Sequence, residues 1–564
     1  MSKTKKIQDN KDYIKSIKAL LDNYEDGWDI FINAKNARTW DYPVLLKEGV
    51  APNADLPNTW VGLVEKVCGI IAKEKYDLDT YKNTIEIITA EQMLDAYTSV
   101  GLPVNYEHWS FAKKRMQHER EYKQTRNLAF EIVINSDPAI AYCMESNSPM
   151  MQILVIAHAS FGHNNFFRDN YMFKQYTDAA DIVPLSRDLR DLIYECEKRF
   201  GRKEVEQLID SCHALQTHSI SEPEFVKKHE STRNENDHDI FSGVNLRDQF
   251  NRIADKPGQP IDCGMEQNLL KYIADNAPHL PEWKRKIMGM MGEVATYFHP
   301  QRQTQVMNEG WASFWHHRIV HDLSELKLID DGMMMEFYDS HGGVVRQTGI
   351  NDTVTVRGPD GQPQERSIYN GINPYALGFA MFHDIKRICE NPTEEDQKWF
   401  PHMAGQDWLE TMKHARDYFK DESFIQQYLS PKVMRDFKFF AMENDEKKPF
   451  YEILAIHDKD GYHGVRENLS AQYRLDELMP VLGMAEYYDK TDRRLVIKHQ
   501  QHNEKPLETK NITEVTKHIY RLWEHPVIIQ SVDEGGEVAS EIQCPPKPEG
   551  RSVRRSNDRP VYPH

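Results

Sequence analysis

Several things are scarce in this 564-residue chain, and each scarcity excludes a class of protein. No run approaches the ~20 apolar residues that a membrane-spanning helix needs. The seven cysteines are scattered, odd in number and without a C-x-x-C pair, which argues against a disulfide framework and for a reducing cytosol. Basic charge is in deficit, with 70 Lys and Arg against 88 Asp and Glu and a formal net charge of −18. That excludes a general binder of nucleic acid or anionic membrane. The best local basic patch, around Arg551, Arg554 and Arg555, reads as a solvated tail. No Walker A loop, G-x-G-x-x-G or G-x-S-x-G stretch occurs, so the usual nucleotide cradles and the serine-hydrolase elbow are missing. The opening "MSKTKKIQDNKDYIKSIKALL" lacks the apolar core of a signal peptide. No internal repeat or low-complexity segment stands out. The expectation is a soluble, acidic, cytoplasmic protein.

What is present is globular. Charged residues make up 28% and aromatics 10%, and the length calls for two or three packed units. The fold class expected is mainly α with a smaller C-terminal α+β part. Residues 1–330 read as one large helical domain from apolar spacings of three and four. "SRDLRDLIYECEKRFG" places a helix N-cap at Ser186, and residues 218–262 read as a long polar surface excursion. Residues 331–435 continue that domain with a hairpin and more helices. "GGVVRQTG" and "DTVTVRGPDGQPQERSIY" alternate as strands around an Asp-Gly turn, and "NPYALGFAMFHDIKRI" returns to helix after Asn373. Residues 436–546 mix short strands with the helical "RENLSAQYRLDEL" and "ITEVTKHIYRLW", a small α+β domain. Residues 547–564 read as a flexible basic tail. Three consecutive methionines in "DDGMMMEF" cannot all face one side of a helix and read as gap-filling core.

The chemistry concentrates in "VIAHASFGHNNFF", residues 155–167. His158 and His163 stand five apart, which on a regular α-helix separates them by about 140°. A π-bulge or a break near Gly162 would bring them to one side, and such bulges are frequent at functional sites. The alternative is a core pair hydrogen-bonded to Ser160, Asn164 or Asn165. A second stretch, "QVMNEGWASFWHHRIVHDL", puts Glu309, Ser313 and His316 on one helix face, beside an apolar face of Trp311, Trp315 and Ile319. Two histidines from one helix and a glutamate from another make a zinc ligand set of the metallopeptidase kind. His158, His163 and Glu309 are therefore the candidate metal ligands. His316 is a fourth ligand or an acid/base. His317 and His321 lie on another face and read as solvated or structural.

The pair of motifs resembles that of gluzincin peptidases, in which H-E-x-x-H is followed by an E-G-W-A-like segment. Ala159 stands where the catalytic Glu of that motif would be, the group that activates a metal-bound water. Glu145 in "AYCMESNS" and Glu107 in "VNYEHWSFAKKR" are substitute carboxylates, with Glu145 the one assigned beside His316 as catalytic. His108, His213 in "LIDSCHAL" and Asn164 are the remaining candidate site-lining residues. Cys212 beside His213 is no nucleophile pair, because adjacent helical residues do not face each other.

Longer stretches resemble the stage V sporulation protein R (SpoVR) family: "YCMESNSPMMQILVIAHASFGHNNFFRDNYMF", "QTQVMNEGWASFWHH", "INPYALGFAMFHDIKRI", "DESFIQQYLSPKVMRDF" and "AIHDKDGYHGVRENLSAQY". The resemblance runs from about Ile14 to Pro546. It implies a bacterial, cytoplasmic protein linked to spore-cortex formation or to starvation and stress. It also implies a PrkA-type serine kinase and a von Willebrand A-like protein as partners. His108, His158, His163, His213, Glu309 and His316 match the family's polar positions. The resemblance brings no settled activity. Two functions remain: a protein with a divalent metal, zinc by the zincin likeness, acting as a peptidase- or amidase-like hydrolase, or a non-catalytic regulator or scaffold.

Overall fold

A computed structural model describes residues 11–545, apart from 35–41, 99–101, 103–104, 126–130, 221–260, 267, 350–351, 358–361, 370, 440, 444–451, 455–458, 475–478, 488–491, 502–504 and 534. The polar excursion and the basic tail expected from the sequence thus lie largely outside the described residues. The chain divides into two compact units, each built from two separate stretches. One comprises Met1–Arg199 and Glu293–Leu478; the other comprises Phe200–Gly292 and Met479–His564.

The first unit is helical around a large aromatic core in which Trp60, Trp311, Trp315, Phe314 and Phe382 are fully buried. Burying such side chains stabilises by about 1.5–3 kcal/mol each. Its central elements are α1 (Trp60–Ile70), α2 (Pro149–Ile156), α3 (Asn164–Asp169), α4 (Gln305–Glu325), α5 (Asp331–Val344) and α6 (Pro374–Glu390). A three-stranded sheet, β1 (Asn83–Ile88), β2 (Glu131–Ile134) and β3 (Ala139–Met144), has the order β1-β3-β2. Strands β1 and β3 run parallel, β2 and β3 antiparallel. The reading of this region as mostly helix did not include that sheet.

The chain leaves β3 through a short turn into α2. Ser148 caps α2 by accepting from Met151 N at 3.1 Å, and Pro149 opens the helix where its missing N–H costs nothing. Helix α2 then widens into a π-helical turn, Ala157–His163, before α3 begins. The irregularity expected near Gly162 is present. Its cause is close packing: a Cβ on Gly162 would stand 2.5 Å from Ala312 Cα. Helix α4 thus runs against the π turn on one side. On the other it crosses α6 backbone to backbone at Gly310 and Gly378.

Three sequence expectations are corrected. The helix expected to start at Ser186 spans Ile182–Phe200, because Ile182 and Leu189 share its buried face and Ser186 is interior. "GGVV" is the end of α5, not a strand: Asp330 caps that helix by accepting from Met333 N at 2.9 Å, and helical burial of Met333, Met334, Phe337 and His341 carries it on. Met335 is 75% exposed, so the methionine run splits between core and surface. The hairpin itself is there, as β5 (Thr353–Arg357) paired with β6 (Pro363–Ser367). Strands β7 (Ala441–Glu443) and β8 (Glu452–Leu454) pair next.

The second unit carries a five-stranded sheet with the order β12-β11-β10-β9-β4. Its strands are β4 (Ile261–Glu266), β9 (Val481–Tyr487), β10 (Leu495–Gln500), β11 (Val527–Val532) and β12 (Val538–Cys544). Strands β10 and β11 are parallel and joined through α7 (Thr509–Trp523), which buries Ile512, Ile519, Leu522 and Trp523. The whole is mainly α with a small mixed part.

Candidate metal centre

The π turn does what a regular helix cannot. With an extra residue in the turn, His158 and His163 come to the same side, ring centroids 4.5 Å apart and nearly perpendicular. Both are buried, at 4% and 7% exposure. Helix α4 presents Glu309 to both: its Oε2 lies 3.6 Å from His158 Nε2 and 3.5 Å from His163 Nε2. Strand β2 adds Glu131, whose Oε1 lies 3.3 Å from His158 Nε2. Ligand atoms of Glu131, His158 and His163 all fall within 4.8 Å of one another.

The outward-facing nitrogens are also engaged. His163 Nδ1 meets Asn308 Oδ1 at 2.9 Å, and His158 Nδ1 meets His316 Nδ1 at 2.8 Å. Both rings therefore direct Nε2 into the site. On the carboxylate side, Glu131 Oε2 and Glu309 Oε2 have no hydrogen-bond partner among the described residues. The Tyr375 ring, from α6, stacks over His158 at 6.5 Å, and its hydroxyl helps hold the Glu309 carboxyl down.

Burial and mutual charge set the protonation. Burial, with the Glu309 charge added, pushes the Glu131 carboxyl up to about 7 against the pull of His158. For His158, burial disfavours the cation, but the Glu131 and Glu309 carboxylates outweigh it and raise the ring. His163 is pushed down to about 4, by burial first. Burial disfavours the Glu309 anion, yet His163, His158 and Tyr375 hold its carboxyl below the usual range.

This donor set suits a divalent ion. Metal–nitrogen and metal–oxygen bonds of about 2.0–2.2 Å at tetrahedral angles set ligand atoms about 3.4 Å apart. Separations of 3.3, 3.5 and 3.6 Å lie near that value, with Glu309 close to both histidines but outside the group of three whose ligand atoms all fall within 4.8 Å of one another. Two buried carboxylate oxygens without hydrogen bonds would be costly unless a cation answered them.

The other residues singled out from the sequence fall elsewhere. Asn164 is fully buried but accepts from Tyr81 N and donates to Tyr81 O and Asn83 Oδ1, so it ties α3 to the edge of β1. Asn165 accepts from Trp311 Nε1 and Arg416, and neither asparagine bonds a site histidine. Glu145 is exposed on the turn after β3. His108 is buried at the start of the helix Trp109–Thr125, with Nδ1 on Ser110 Oγ at 2.8 Å. His213 belongs to the second compact unit, on the helix Arg202–Leu215. His316 stands behind His158 and not among the group of ligand atoms.

The family described as SpoVR like protein matches residues 61–478, and the SpoVR-like C-terminal domain matches residues 486–534. The chain belongs to the SpoVR family. It is 44% identical over 515 residues to an uncharacterized protein of Escherichia coli (strain K12), YcgB, covering 89% of this chain and 97% of that one. No solved structure matches. The first SpoVR match contains every residue of the centre, whereas the C-terminal match contains none of them.

Two functional candidates escaped the sequence reading. Glu131 opens β2 opposite Cys143, in a strand otherwise composed of Ile, Val and Ile. A lone carboxylate on a short apolar strand was the signal. His341 sits on α5, in a stretch read as the approach to a hairpin.

Proposed function

We propose that this SpoVR-family protein holds a divalent metal ion at His158, His163, Glu309 and Glu131, in a centre of zincin-like composition, and that it acts on amide bonds during spore-cortex formation or the stress response. One observation carries the reading: nitrogen and carboxylate oxygen atoms from β2, the π turn and α4 stand 3.3–3.6 Å apart, close to metal-ligand separations, around two buried imidazoles. Such a metal polarises a carbonyl and acidifies a bound water. Zinc suits a set of two imidazoles and carboxylate oxygen. The chain's own residues supply the rest. Asn308 and His316 orient the two imidazoles, and the Tyr375 ring stacks over His158 beside Glu309.

Metal analysis of the purified full chain tests this, with His158→Ala and Glu309→Ala as controls. About one equivalent of metal per chain is expected in the wild type and a large loss in both variants. Wild-type protein that stays metal-free after incubation with Zn2+, Co2+ or Mn2+ sinks the reading.

A second reading has one observation in its favour. Ala159 is fully buried, so the turn that would carry the base of H-E-x-x-H carries no carboxylate at all. On that reading the chain is a regulator or scaffold working with a PrkA-type serine kinase and a von Willebrand A-like protein. If Glu309→Ala abolished the physiological role while a pull-down still recovered both partners, a pure scaffold would be untenable.

A further inference from the structure

Behind the centre, imidazoles continue. His158 Nδ1 meets His316 Nδ1 at 2.8 Å, and His316 Nε2 meets His341 Nδ1 at 2.8 Å. His316 comes from α4, the helix that also carries Glu309, and His341 comes from α5. Exposure is 4% at His158, 1% at His316 and 7% at His341, so all three rings are buried.

Each nitrogen–nitrogen contact holds one hydrogen. A neutral imidazole has one N–H and one lone pair. Only two arrangements then satisfy both bonds. In one, His158 donates from Nδ1, His316 donates from Nε2, and His341 carries its hydrogen on Nε2. The His158 Nε2 lone pair then faces Glu131 and Glu309. In the other, every bond is reversed, and the His158 N–H points at Glu131, 3.3 Å away. The first arrangement can ligate a cation, and the second cannot. His163 has no such choice, because its Nδ1 faces the carbonyl oxygen Asn308 Oδ1, an acceptor only, at 2.9 Å. One imidazole of the pair is permanently set, and the other is set through two further rings.

We infer that His316 and His341 are positioning residues of the centre: together they hold His158 in the Nδ1–H tautomer with Nε2 turned to Glu131 and Glu309, and so fix its affinity for imidazole-seeking divalent ions such as Zn2+ or Co2+. This rests on the metal reading proposed above. Partners that hold the second nitrogen of a ligating histidine fix its tautomer and raise its basicity, and losing one typically costs about 10- to 100-fold in metal affinity. Asparagine is the informative replacement. Its Oδ1 falls where Nδ1 of histidine stands and can only accept, so it imposes the ligating tautomer on the ring before it.

The test is Zn2+ affinity of the full chain against a chromophoric chelator, with the visible absorption of the Co2+-loaded protein as a second readout. His316→Ala is expected to weaken Zn2+ by about 10- to 100-fold and to shift the Co2+ bands. His316→Asn is expected to recover most of the affinity and the wild-type bands. His341→Phe, which leaves His316 without an acceptor, is expected to show a smaller loss, and His341→Asn to restore it. Wild-type affinity in a folded His316→Ala protein overturns the inference. So does a His316→Asn protein as weak as the alanine variant, since that makes the role one of packing. If His316→Ala does not fold, an undiminished affinity in His341→Phe decides against it. Failure of the metal reading looks different, because the wild type itself then binds neither ion.

Discussion

Helix α4 buries two carboxylates and resolves them in opposite ways. Near its end, Asp322 is 2% exposed and both oxygens are taken: Oδ1 by Lys75 Nζ at 2.7 Å, Oδ2 by the Tyr76 hydroxyl at 2.7 Å. Arg318 lends further positive charge and also donates to Tyr76. Near its start, Glu309 faces two imidazole nitrogens and a second carboxylate, and its Oε2 has no hydrogen bond among the described residues. Both sites carry the desolvation cost of a buried charge. Asp322 is answered by a lysine ammonium and a phenol hydroxyl, Glu309 by imidazoles that themselves titrate. The difference separates a polar cluster closed by fixed partners from one that the proposed metal would complete.

The strongest way to sharpen this contrast is to remove Asp322. Asp322→Ala leaves the Lys75 ammonium, 14% exposed, without its partner. Breaking a buried pair from one side costs about 3–5 kcal/mol. Urea denaturation should show a loss of that size, with metal content per folded chain unchanged. A loss below about 1 kcal/mol would mean that the two ends of α4 differ less than their geometry says.

Acidification is the next largest effect and acts on the imidazole end. Burial pushes His163, His341 and His383 down to about 4 and His317 to about 2, with neighbouring imidazoles adding to it. Their folded pKa values lie below the unfolded value of about 6.5, so the unfolded chain takes up protons first. The stability they contribute is complete above about pH 6.5 and is lost as pH falls towards 4, by up to about 3 kcal/mol per ring. Glu131 and Asp421, both pushed up to about 7 by burial, have the opposite sign and offset part of the loss. The depressed rings outnumber them, so the urea midpoint should fall between pH 6.5 and pH 4. A midpoint that rises over this window contradicts the assignment. The Asp322 cluster should contribute little there.

Next in size is the packing that brings the two regions onto one helix. Gly162→Ala forces a methyl group against Ala312 in the backbone of α4. Overpacking of this kind costs about 1–3 kcal/mol. It should also move His163 away from Glu309, so metal affinity falls with stability. Thermal unfolding and chelator competition measured together test this; lost stability with intact affinity would separate the π turn from the site.

How much of this was legible beforehand follows from the range of each interaction. The spacing of His158 and His163 required an irregular turn, and Gly162 marked where it would fall, because helical angles are local. Glu309 was legible because "NEGWASFWHH" is a motif with chemistry of its own. Glu131 was not, since its contact with His158 depends on the β2–β3 register and on how β3 leads into α2. His316 was legible as a participant but not as a second layer, because a helical face says which residues point inwards and not how far in they reach. Asn164 was misplaced for the same reason: it points to β1 and not to the site. The C-terminal strands could be read from alternation, but their order in the sheet could not, since β4 joins from more than 200 residues upstream.

The smallest effect is the most discriminating, because its sign separates the two carboxylates. Glu309→Gln removes a largely buried charge whose partners in the chain are imidazoles, with no lysine or arginine among them, and its amide can still donate to a ring nitrogen. Glu131→Gln relieves the carboxylate repulsion that helps push Glu131 up to about 7. Without added metal, each variant should be as stable as the wild type or more so, by less than about 1 kcal/mol. With Zn2+ present the order should invert. The wild type gains stability by mass action as ligand exceeds its dissociation constant, by about 2.7 kcal/mol at a hundredfold excess, and the variants gain little. Thermal unfolding with and without Zn2+ reads both signs from one sample. A Glu309→Gln protein that is destabilised as strongly as Asp322→Ala, in the absence of metal, would make Glu309 another structural carboxylate, and the contrast along α4 would disappear with it.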